Sequence, residues 1–452
     1  MSKKYFGTDG IRGESGGPII NPEFAYQLGV AVGQQLQAKG LQKGEVCIGR
    51  DPRNSGESLR DGIAAGLAEQ GFQAIDVGIL PTPAIALHTS RTPAILGVVL
   101  TASHNPARDN GFKFFQSNGR KVTPEWESAI EERLNTGLKP KEGSPLMENQ
   151  HDAAQKGFLQ HLSSTQLDLN GMKIVVDTSC GATCQTTPEV LRSFGAEIVA
   201  IGSEPDGNNI NNEIGSEHPE KVIESVRSGE GELGLAHDGD GDRVIFCDEQ
   251  GELLTGDEFL GIIALYRKSE NKLPGDSIVG TILCNAGLES SLNQNGITLY
   301  RTDVGDRNVT AEMITRDINF GGEPSGHYVL ADKLPTGCGL HAAIELLTIL
   351  RSTGKSLSDL RKQITLYPQL TRNLKVLSKP PLEQESGLQA GLKKIEDHLE
   401  DQGRILLRYS GTENKIRLLS EAVDLKLAKS ALNALEYLVQ KYLPVTPPPQ
   451  TH

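Results

Sequence analysis

The chain has 452 residues, more than one hydrophobic core supports, because cores stop growing at about 250–300 residues. Its 45 basic and 58 acidic side chains give a formal charge of −13 without any basic run, which argues against general nucleic-acid binding. No apolar run approaches the ~18–20 residues that a membrane span needs. An anionic substrate stays compatible with this composition, since a site can be locally basic inside an acidic protein.

The N-terminal segment and the cysteines indicate the compartment. Residues 1–13 are polar and lack the apolar stretch of a secretory signal. The six cysteines form no C-x-x-C pair, and they stand at positions 47, 180, 184, 247, 284 and 338. We therefore expect a cytoplasmic protein with reduced, mostly buried thiols.

Three segments share one order of elements: strand, loop, helix, glycine, strand. In the first, a strand at 46–49 precedes a helix and a second strand at 74–78. The other two copies span residues 173–202 and 277–300. The pattern predicts a triplicated α/β module.

The C-terminal part has a different order. Strands at 404–408 and 415–422 and a helix at 425–443 predict a small α+β domain. The proline-containing stretch 367–381 is the expected linker, and the proline-rich tail 444–452 is expected to be disordered.

Three carboxylates alternate with glycines in Asp238-Gly239-Asp240-Gly241-Asp242, between two apolar strands. Acids this close repel one another, and a divalent cation relieves the repulsion. An EF-hand is one alternative, but Arg243 occupies its sixth position, where that loop needs glycine. Few hard ligands beside an arginine favour Mg²⁺ that bridges a phosphate, and a solvated acidic turn is the remaining alternative.

Two further segments present nucleophilic or hydrogen-bonding side chains. Ser103 follows a buried strand, with His104 adjacent and Lys113 downstream, which suits a nucleophile but also a turn stabilised by Asn and Pro. In Gly321–His327, glycines expose Glu, Ser and His side chains that suit sugar hydroxyls, although an ordinary loop fits equally well.

Two arginine-containing segments complete the candidates. Arg408 and Arg417 flank a loop rich in hydroxyls and backbone N–H groups, which suits a phosphate, with a polar hairpin as the alternative. The segment Phe6–Gly13 reads as a glycine-rich loop that presents Arg12, or as an ordinary N-terminal turn.

Taken together, the segments T-A-S-H-N-P, D-G-D-G-D-R, G-E-P-S-G-H and R-Y-S-G-T-E resemble the α-D-phosphohexomutase superfamily, in the family's order, from Phe6 to Arg417. The resemblance implies an α/β fold of four domains: three similar α/β modules with mixed sheets between helices, then a C-terminal α+β domain. The expected domains carry the phosphoserine, metal, sugar and phosphate loops in turn, at 1–155, 156–255, 256–368 and 369–452.

The resemblance also implies roles at the reacting phosphoryl group. Ser103 carries that group, and Asp238, Asp240 and Asp242 hold Mg²⁺ together with an oxygen of the phosphoserine. Four cationic or titratable side chains surround the group, with the lysine the better candidate for proton transfer: Arg12, His104, Lys113 and Arg243.

The implied substrate contacts lie in two other loops. Glu323 and Ser325 bind sugar hydroxyls, with His327 close by. Five residues grip the phosphate that is not reacting: Arg408, Ser410, Gly411, Thr412 and Arg417.

The implied activity is that of an isomerase acting on a small sugar phosphate. The opening F-G-T-D-G-I-R-G resembles the glucosamine-specific members, which convert the 6-phosphate to the 1-phosphate through hexosamine 1,6-bisphosphate, for UDP-N-acetylglucosamine and cell-wall precursors. A homodimer is a family expectation. The alternatives are the glucose- or mannose-specific members and, from another class, a catalytically silent sugar-phosphate or Ca²⁺ binder.

Three positions depart from the family pattern. Pro324 replaces the Asn or Gln usual in glucosamine members, and also the Met common in glucose and mannose members. Asp303 stands where glucosamine members often carry Lys. Asn414 stands where the family usually has Pro. Pro324 weakens the assignment of the sugar, because it has neither a side-chain amide nor an N–H.

Overall fold

A computed structural model describes residues 4–140, 147–410 and 413–446. The chain divides into two compact units. The first comprises Met1–Leu283 and Tyr300–Arg361, and the second comprises Cys284–Leu299 and Lys362–His452.

The first sheet and its helices form the N-terminal part of the first unit. In chain order the elements are β1 (Ile11–Glu14), α1 (Pro22–Ala38), β2 (Glu45–Arg50), α2 (Gly56–Glu69), β3 (Gln73–Ile79), α3 (Thr82–Arg91), β4 (Leu96–Leu100), β5 (Asp109–Gln116), α4 (Pro124–Arg133), β6 (Glu148–Asn149) and α5 (His151–Leu162). The strand order is β1-β5-β4-β2-β3-β6, in which β2 lies parallel to β3 and β4, and β5 runs antiparallel to β4.

Local sequence explains the packing of α1 on α2. The side chain of Asn21 accepts a hydrogen bond from the Phe24 N–H, and Pro22 occupies the first turn, so α1 begins there. Gly29 faces α2 so closely that a Cβ atom would lie 2.3 Å from the carbonyl oxygen of Ile63. The apolar faces of both helices cover the sheet.

The second sheet repeats this arrangement. Its elements are β7 (Lys173–Asp177), α6 (Thr186–Ser193), β8 (Glu197–Ile201), α7 (Glu220–Arg227), β9 (Leu233–His237), β10 (Val244–Cys247) and β11 (Leu253–Leu254). The strand order is β11-β10-β9-β7-β8, with β7 parallel to β8 and β9, and β10 antiparallel to β9.

The third sheet follows in the same style. The elements from residue 256 to residue 361 are α8 (Gly256–Ser269), β12 (Ser277–Thr281), α9 (Ala286–Gln294), β13 (Thr298–Thr302), α10 (Asp306–Arg316), β14 (Phe320–Gly322), β15 (Tyr328–Leu330), α11 (Gly339–Thr353) and α12 (Leu357–Arg361). The strand order is β13-β12-β14-β15, with β14 parallel to β12 and antiparallel to β15.

One feature common to the three sheets positions the site. In each sheet a buried parallel strand (β4, β9 or β14) is followed by an antiparallel neighbour (β5, β10 or β15). The connecting loops leave the carboxyl ends of those parallel strands, which is where ligands bind in open α/β sheets. These loops contain Ser103, the three aspartates and Glu323 respectively.

The second unit is an antiparallel sheet covered by helices. Besides α9 it contains β16 (Gln369–Lys375), α13 (Ser386–Leu399), β17 (Gly403–Tyr409), β18 (Lys415–Ala422) and α14 (Leu425–Tyr442). The strand order is β16-β18-β17, and Leu418, Leu432 and Leu435 lie in its core. The predicted fold class is thus confirmed: three α/β modules with mixed sheets, then a small α+β domain. The exact domain boundaries stay a prediction.

One local prediction in the C-terminal part was wrong, and a second was wrong for those of its residues that the structure describes. The expected linker contains β16, all of whose seven residues pair with β18. Its prolines flank the strand, and the strand shows the alternating exposure of a sheet edge, so the proline count misled. The described part of the expected disordered tail is also attached, because Thr446 N–H donates to the Lys375 carbonyl at 2.9 Å. Residues 447–452 lie outside the described residues.

The reading of Phe6–Gly13 as a loop was wrong at its end. Ile11–Glu14 forms the edge strand β1, with Arg12 opposite Gly111 of β5. The pairing partner lies about a hundred residues away, and a Cβ at Gly111 would meet the Ile11 carbonyl at 2.4 Å. The local pattern therefore gave no sign of this strand.

The described residues test two expectations, one about the cysteines and one about membrane-spanning segments. All six cysteines are free thiols, and five of them are buried. Among the described helices, none combines the length and the apolar character required to traverse a bilayer.

Candidate active site

Ser103 lies at the centre of the site, next to the acidic loop. Its Oγ donates a hydrogen bond of 2.5 Å to Oδ2 of Asp238, which joins the loop after β4 to the loop after β9. Nδ1 of His104 lies 3.3 Å from the same hydroxyl oxygen. Ser103 is buried, so a group attached to its hydroxyl would be largely removed from solvent.

The backbone at Ser103 is held in an unusual conformation. Its φ is +52°, a left-handed value that costs a non-glycine residue energy. Arg53 Nη2 at 3.1 Å and Asn211 Nδ2 at 2.8 Å both donate to the Ser103 carbonyl oxygen. The Ser103 N–H donates to Oγ1 of Thr101 at 2.8 Å. These bonds hold the backbone of Ser103 in this conformation.

Arg53 is itself a buried cation that depends on a neighbouring acid. Its Nη1 lies 3.1 Å from Oδ2 of Asp51, and both side chains are fully buried. Arg53 also donates to the carbonyl oxygens of Asn105 and Asp109. One guanidinium thus ties both ends of the Ser103 loop together.

The three aspartates form a compact acidic group. A carboxylate oxygen of each of Asp238, Asp240 and Asp242 lies within 4.8 Å of those of the other two, and all three residues are buried. Burial, together with the charges of Asp240 and Asp242, raises the pKa of Asp238 well above its ordinary value. Oδ1 of Asp240 and Oδ1 of Asp242 are buried and have no hydrogen-bond partner among the described residues. Oxygen ligands that repel one another and keep free lone pairs fit a divalent cation.

Lys113 reaches this acidic group from β5. Its Nζ lies 2.8 Å from Asp240 Oδ2, 2.7 Å from Asp242 Oδ2 and 3.1 Å from Asp9 Oδ2. Burial alone lowers the pKa of Lys113, but the three carboxylates outweigh burial and raise it well above 10.5. Lys113 therefore carries a positive charge in this arrangement.

Arg12, His104 and Arg243 complete the cationic side of the site. Burial, and next the charges of Arg243 and Arg12, lower the pKa of His104 to about 4, so its imidazole is neutral at pH 7. Arg12 pairs with Asp9, and Arg243 Nη1 lies 3.7 Å from Glu217. Within the described part of the chain, the Nε atoms of both arginines are buried without a partner, which leaves N–H donors for an anionic ligand.

The loop after β14 lies against the acidic loop. Arg243 and His327 form an isolated antiparallel bridge, and His327 Nε2 lies 3.9 Å from Asp242 Oδ2. The Glu323 carboxylate accepts a hydrogen bond of 3.0 Å from the Gly305 N–H. Glu323 and His327 are buried, whereas Ser325 is exposed. The structure thus brings Ser103, the three aspartates and the loop of Glu323 and His327 close together.

The predicted phosphate-binding residues lie in the second unit. Arg408 of β17 stands directly opposite Arg417 of β18. Burial, and next the charge of Arg417, lower the pKa of Arg408 below its ordinary value. A bound anion would offset the repulsion between the two guanidinium groups. Ser410 is buried, and its carbonyl oxygen accepts from Lys379 Nζ at 2.7 Å. Gly411 and Thr412 lie outside the described residues.

Sequence reasoning missed several charged side chains of the site. Asp9 contacts Lys113, Arg12 and Lys121, and Lys121 also contacts Asp306. Asp9 stands within the segment that supplied Arg12, and its charge three residues before that arginine was a usable signal. Lys121 and Asp306 are separated by 185 residues, so no local pattern relates them.

Family models match nearly the whole chain. Residues 3–141 match the model described as phosphoglucomutase/phosphomannomutase, alpha/beta/alpha domain I. Residues 156–251 and 255–367 match domains II and III of that description, and residues 372–435 match its C-terminal domain. The four matches follow one another in the order of the sheets described above.

Curated relatives and solved structures agree with these matches. The chain is 42% identical over 451 residues to phosphoglucosamine mutase of Methylobacillus flagellatus, covering 98% of this chain and 99% of the relative. It is 39% identical to phosphoglucosamine mutase of Nautilia profundicola, over 96% and 98% of the two chains.

Among solved structures, a phosphoglucomutase/phosphomannomutase family protein from Burkholderia thailandensis has a TM-score of 0.80 at 23% identity, covering 97% of this chain and 98% of its own. N-acetylphosphoglucosamine mutase of Aspergillus fumigatus, in complex with GlcNAc-6P and magnesium, has a TM-score of 0.68 at 15% identity, covering 97% and 96%. At these identities the structures support the fold alone.

Proposed function

The chain belongs to the phosphoglucomutase/phosphomannomutase family, and we propose that it interconverts glucosamine 6-phosphate and glucosamine 1-phosphate. The observation that carries the proposal is the 2.5 Å contact between Ser103 Oγ and Asp238, inside a group of three buried carboxylates. Relatives at about 40% identity bear the name phosphoglucosamine mutase, which supports the choice of sugar.

In the proposed reaction Ser103 carries a phosphoryl group in the resting enzyme. A hydroxyl oxygen of the sugar phosphate forms a bond to that phosphorus, and the bond between phosphorus and Ser103 Oγ breaks. The proton of the sugar hydroxyl ends on Ser103 Oγ. The product of this half-reaction is the 1,6-bisphosphate. When the bisphosphate binds in the reversed orientation, Ser103 takes back the other phosphoryl group. The sugar thereby leaves with its phosphate at the other position.

The acidic loop is the proposed metal site. Asp238, Asp240 and Asp242 would hold Mg²⁺ together with an oxygen of phosphorylated Ser103. The bound ion would supply positive charge that stabilises the transferring phosphoryl group. The free Oδ1 atoms of Asp240 and Asp242 support this assignment.

The cationic side chains orient and neutralise the phosphoryl group. Arg12 and Arg243 donate to its oxygens through N–H groups that have no other partner. Lys113, with its raised pKa, contributes charge as long as it keeps its carboxylate contacts. The sequence favoured Lys113 for proton transfer, but neutral His104, 3.3 Å from Ser103 Oγ, is the group with a free lone pair at pH 7.

The remaining predicted residues bind the sugar and the second phosphate. Glu323, Ser325 and His327 are proposed to contact sugar hydroxyls. Arg408, Ser410 and Arg417 are proposed to hold the phosphate that does not react, together with the undescribed Gly411 and Thr412. A positively charged pair at Arg408 and Arg417 matches the charge of a phosphate. A small sugar phosphate is thus the proposed partner, while the homodimer and the cytoplasmic location stay predictions.

Glucose or mannose phosphate is the second candidate substrate. Pro324 keeps this candidate open, because it matches neither the side-chain amide of the glucosamine-specific members nor the Met that is common in the glucose- and mannose-specific members at this position. The mechanism and the residues of phosphoryl transfer are the same for either sugar.

The test offers the three sugars in parallel. Purified protein with Mg²⁺ and a trace of hexose 1,6-bisphosphate is given glucosamine, glucose or mannose 6-phosphate, and the product is followed by phosphorus NMR. We expect the glucosamine ester to react fastest, and Ser103→Ala to abolish turnover. Faster turnover of glucose or mannose phosphate would select the second candidate, and no turnover of any ester would overturn both.

A further inference from the structure

Two ion pairs of opposite polarity join the start of α10 to the N-terminal domain. Lys121 contacts Asp306, and Arg307 contacts Glu127 of α4. We propose that these four residues, the α10 clasp, position the sugar-binding loop against the phosphoserine loop. The inference rests on the proposed function for its catalytic consequence, but the contacts exist independently of it.

The clasp is sheltered from solvent. The side chains of Lys121 and Asp306 are 11% and 10% exposed, and that of Glu127 is 1% exposed. Partly buried pairs are screened much less than surface pairs. Arg307 engages Glu127 with both terminal nitrogens, one of them at 2.8 Å, so the pair also fixes direction.

One end of the clasp leads to the sugar loop. Asp306 Oδ2 lies 3.4 Å from Nε2 of His327. Gly305, the residue before α10, donates its N–H to Glu323, and its φ of +125° is accessible to glycine but strained for other residues. The first residues of α10 thus hold both Glu323 and His327, and whatever fixes α10 fixes these two side chains.

The other end leads to the phosphoryl-transfer residues. Lys121 contacts Asp9, and Asp9 contacts Arg12 and lies 3.1 Å from Lys113. A continuous chain of charged contacts therefore runs from Lys113 through Asp9 and Lys121 to α10. Lys121 and Arg307 act through other residues, so they are positioning residues.

Alternating polarity makes the clasp specific for one arrangement. The N-terminal domain contributes the positive Lys121 to one pair and the negative Glu127 to the other. If α10 slid along this domain, residues of like charge would face each other. Such an arrangement fixes register, as charge patterns do in paired helices. The bisphosphate has to reverse its orientation between the two half-reactions. A fixed distance between the loops of Ser103 and Glu323 suits the binding of both orientations.

The experiment varies Arg307, whose side chain pairs with Glu127 and with none of the proposed catalytic groups among the described residues. Arg307→Gln removes the pair, Arg307→Glu makes it repulsive, and Arg307→Lys keeps the charge without the two-nitrogen contact. Arg316→Glu is the matched control, since it makes the same change on the same helix, where Arg316 pairs with Glu312 and stacks on the Tyr300 ring, away from the clasp.

Two readouts separate the outcomes. Without substrate, we expect hydrogen exchange of segments 303–309 and 321–327 to rise severalfold in Arg307→Gln and Arg307→Glu, less in Arg307→Lys, and not in Arg316→Glu. With substrate, we expect the KM for glucosamine 6-phosphate to rise about tenfold in the first two variants, while kcat falls less and Arg307→Lys recovers part of the loss.

Unchanged exchange at 321–327 in both Arg307→Gln and Arg307→Glu would overturn the clasp, as would an equal change in Arg316→Glu. If the wild-type protein fails to convert glucosamine 6-phosphate, the proposed function fails, and the exchange data still decide whether the clasp positions the sugar loop.

Discussion

The ammonium nitrogen of Lys113 lies 2.8 Å from Oδ2 of Asp240, one of the three carboxylates proposed to bind Mg²⁺. A second proposed ligand, Asp242, lies 2.7 Å from the same nitrogen. The lysine therefore supplies, inside the protein, part of the positive charge that the acidic loop requires. A metal ion bound at the proposed site would therefore compete electrostatically with Lys113 for the same carboxylates.

Replacing Lys113 is therefore expected to strengthen Mg²⁺ binding. In Lys113→Met the carboxylates lose a neutralising cation, so the group becomes more negative and attracts a divalent cation more strongly. We expect the Kd for Mg²⁺ to fall about tenfold, or ~1.4 kcal/mol. Turnover should be lost at the same time. Titration calorimetry with Mg²⁺ measures the affinity, and Lys173→Met, at the surface, is the control. Weaker or unchanged binding would contradict the competition.

Removing one proposed metal ligand should abolish Mg²⁺-dependent turnover and spare the fold. Asp240→Asn keeps a carbonyl oxygen that can accept the hydrogen bond Asp240 now receives from Thr82 Oγ1 at 2.6 Å. The substitution removes one negatively charged ligand from the proposed metal site, and we expect turnover to fall at least about 100-fold. Turnover over a range of Mg²⁺ concentrations, with a thermal melt beside it, checks this, and Asp276→Asn is the control. Activity equal to wild type would refute the metal assignment.

The sequence predicted those parts of the site whose signal is local. Asp238, Asp240 and Asp242 repel one another within five residues, so their spacing alone indicated a cation site. The loops of Ser103 and Glu323 follow buried strands, and the alternation of strands with helices indicated an α/β sheet whose strand ends carry ligands. The meeting of these three loops follows from their equivalent positions in three similar sheets.

The parts that the sequence could not predict depend on distant partners. The contact between Lys121 and Asp306 requires knowledge of how the first and third modules pack. The conformation of Ser103 depends on Arg53 and Asn211, which come from other loops. Strand β1 was missed for the same reason, since its partner β5 lies far along the chain. In β16, flanking prolines concealed a strand whose edge position tolerates them.

Arg53 should be essential for stability as well as for the geometry at Ser103. Arg53→Met leaves Asp51 as a buried carboxylate without its cation, which costs about 3–5 kcal/mol of unfolding free energy. Chemical denaturation measures this loss. Arg227→Met, which removes an exposed arginine that pairs with Glu252 at the surface, should cost about 1 kcal/mol or less. Equal losses in the two variants would contradict the special role of Arg53.

The buried His341 makes stability depend on pH. Burial, and next the neighbouring His161, lower the pKa of His341 to about 3 in the folded protein. The unfolded chain takes up this proton near pH 6.5, so the unfolded state binds more protons between pH 6.5 and 3, and stability falls as the pH falls through that range. Protonation of His341 in the unfolded chain lowers the unfolding free energy by about 2 kcal/mol at pH 5, relative to neutral pH.

The variant His341→Gln should remove that part of the pH dependence. We expect the difference in unfolding free energy between pH 7 and pH 5 to shrink by about 2 kcal/mol relative to wild type. Urea denaturation at the two pH values measures it, with the exposed His218→Gln as the control. The same difference in wild type and His341→Gln would show that His341 does not titrate as the structure indicates.

The most direct test of the account is the fate of a phosphoryl group on Ser103. The protein is phosphorylated with hexose 1,6-bisphosphate, desalted, and mapped by mass spectrometry before and after rapid mixing with excess glucosamine 6-phosphate. We predict that Ser103 carries the added phosphate and loses it within one turnover, as glucosamine 1,6-bisphosphate appears. A phosphate on another residue, or a phosphorylated Ser103 that does not pass its group to the sugar, would contradict the account.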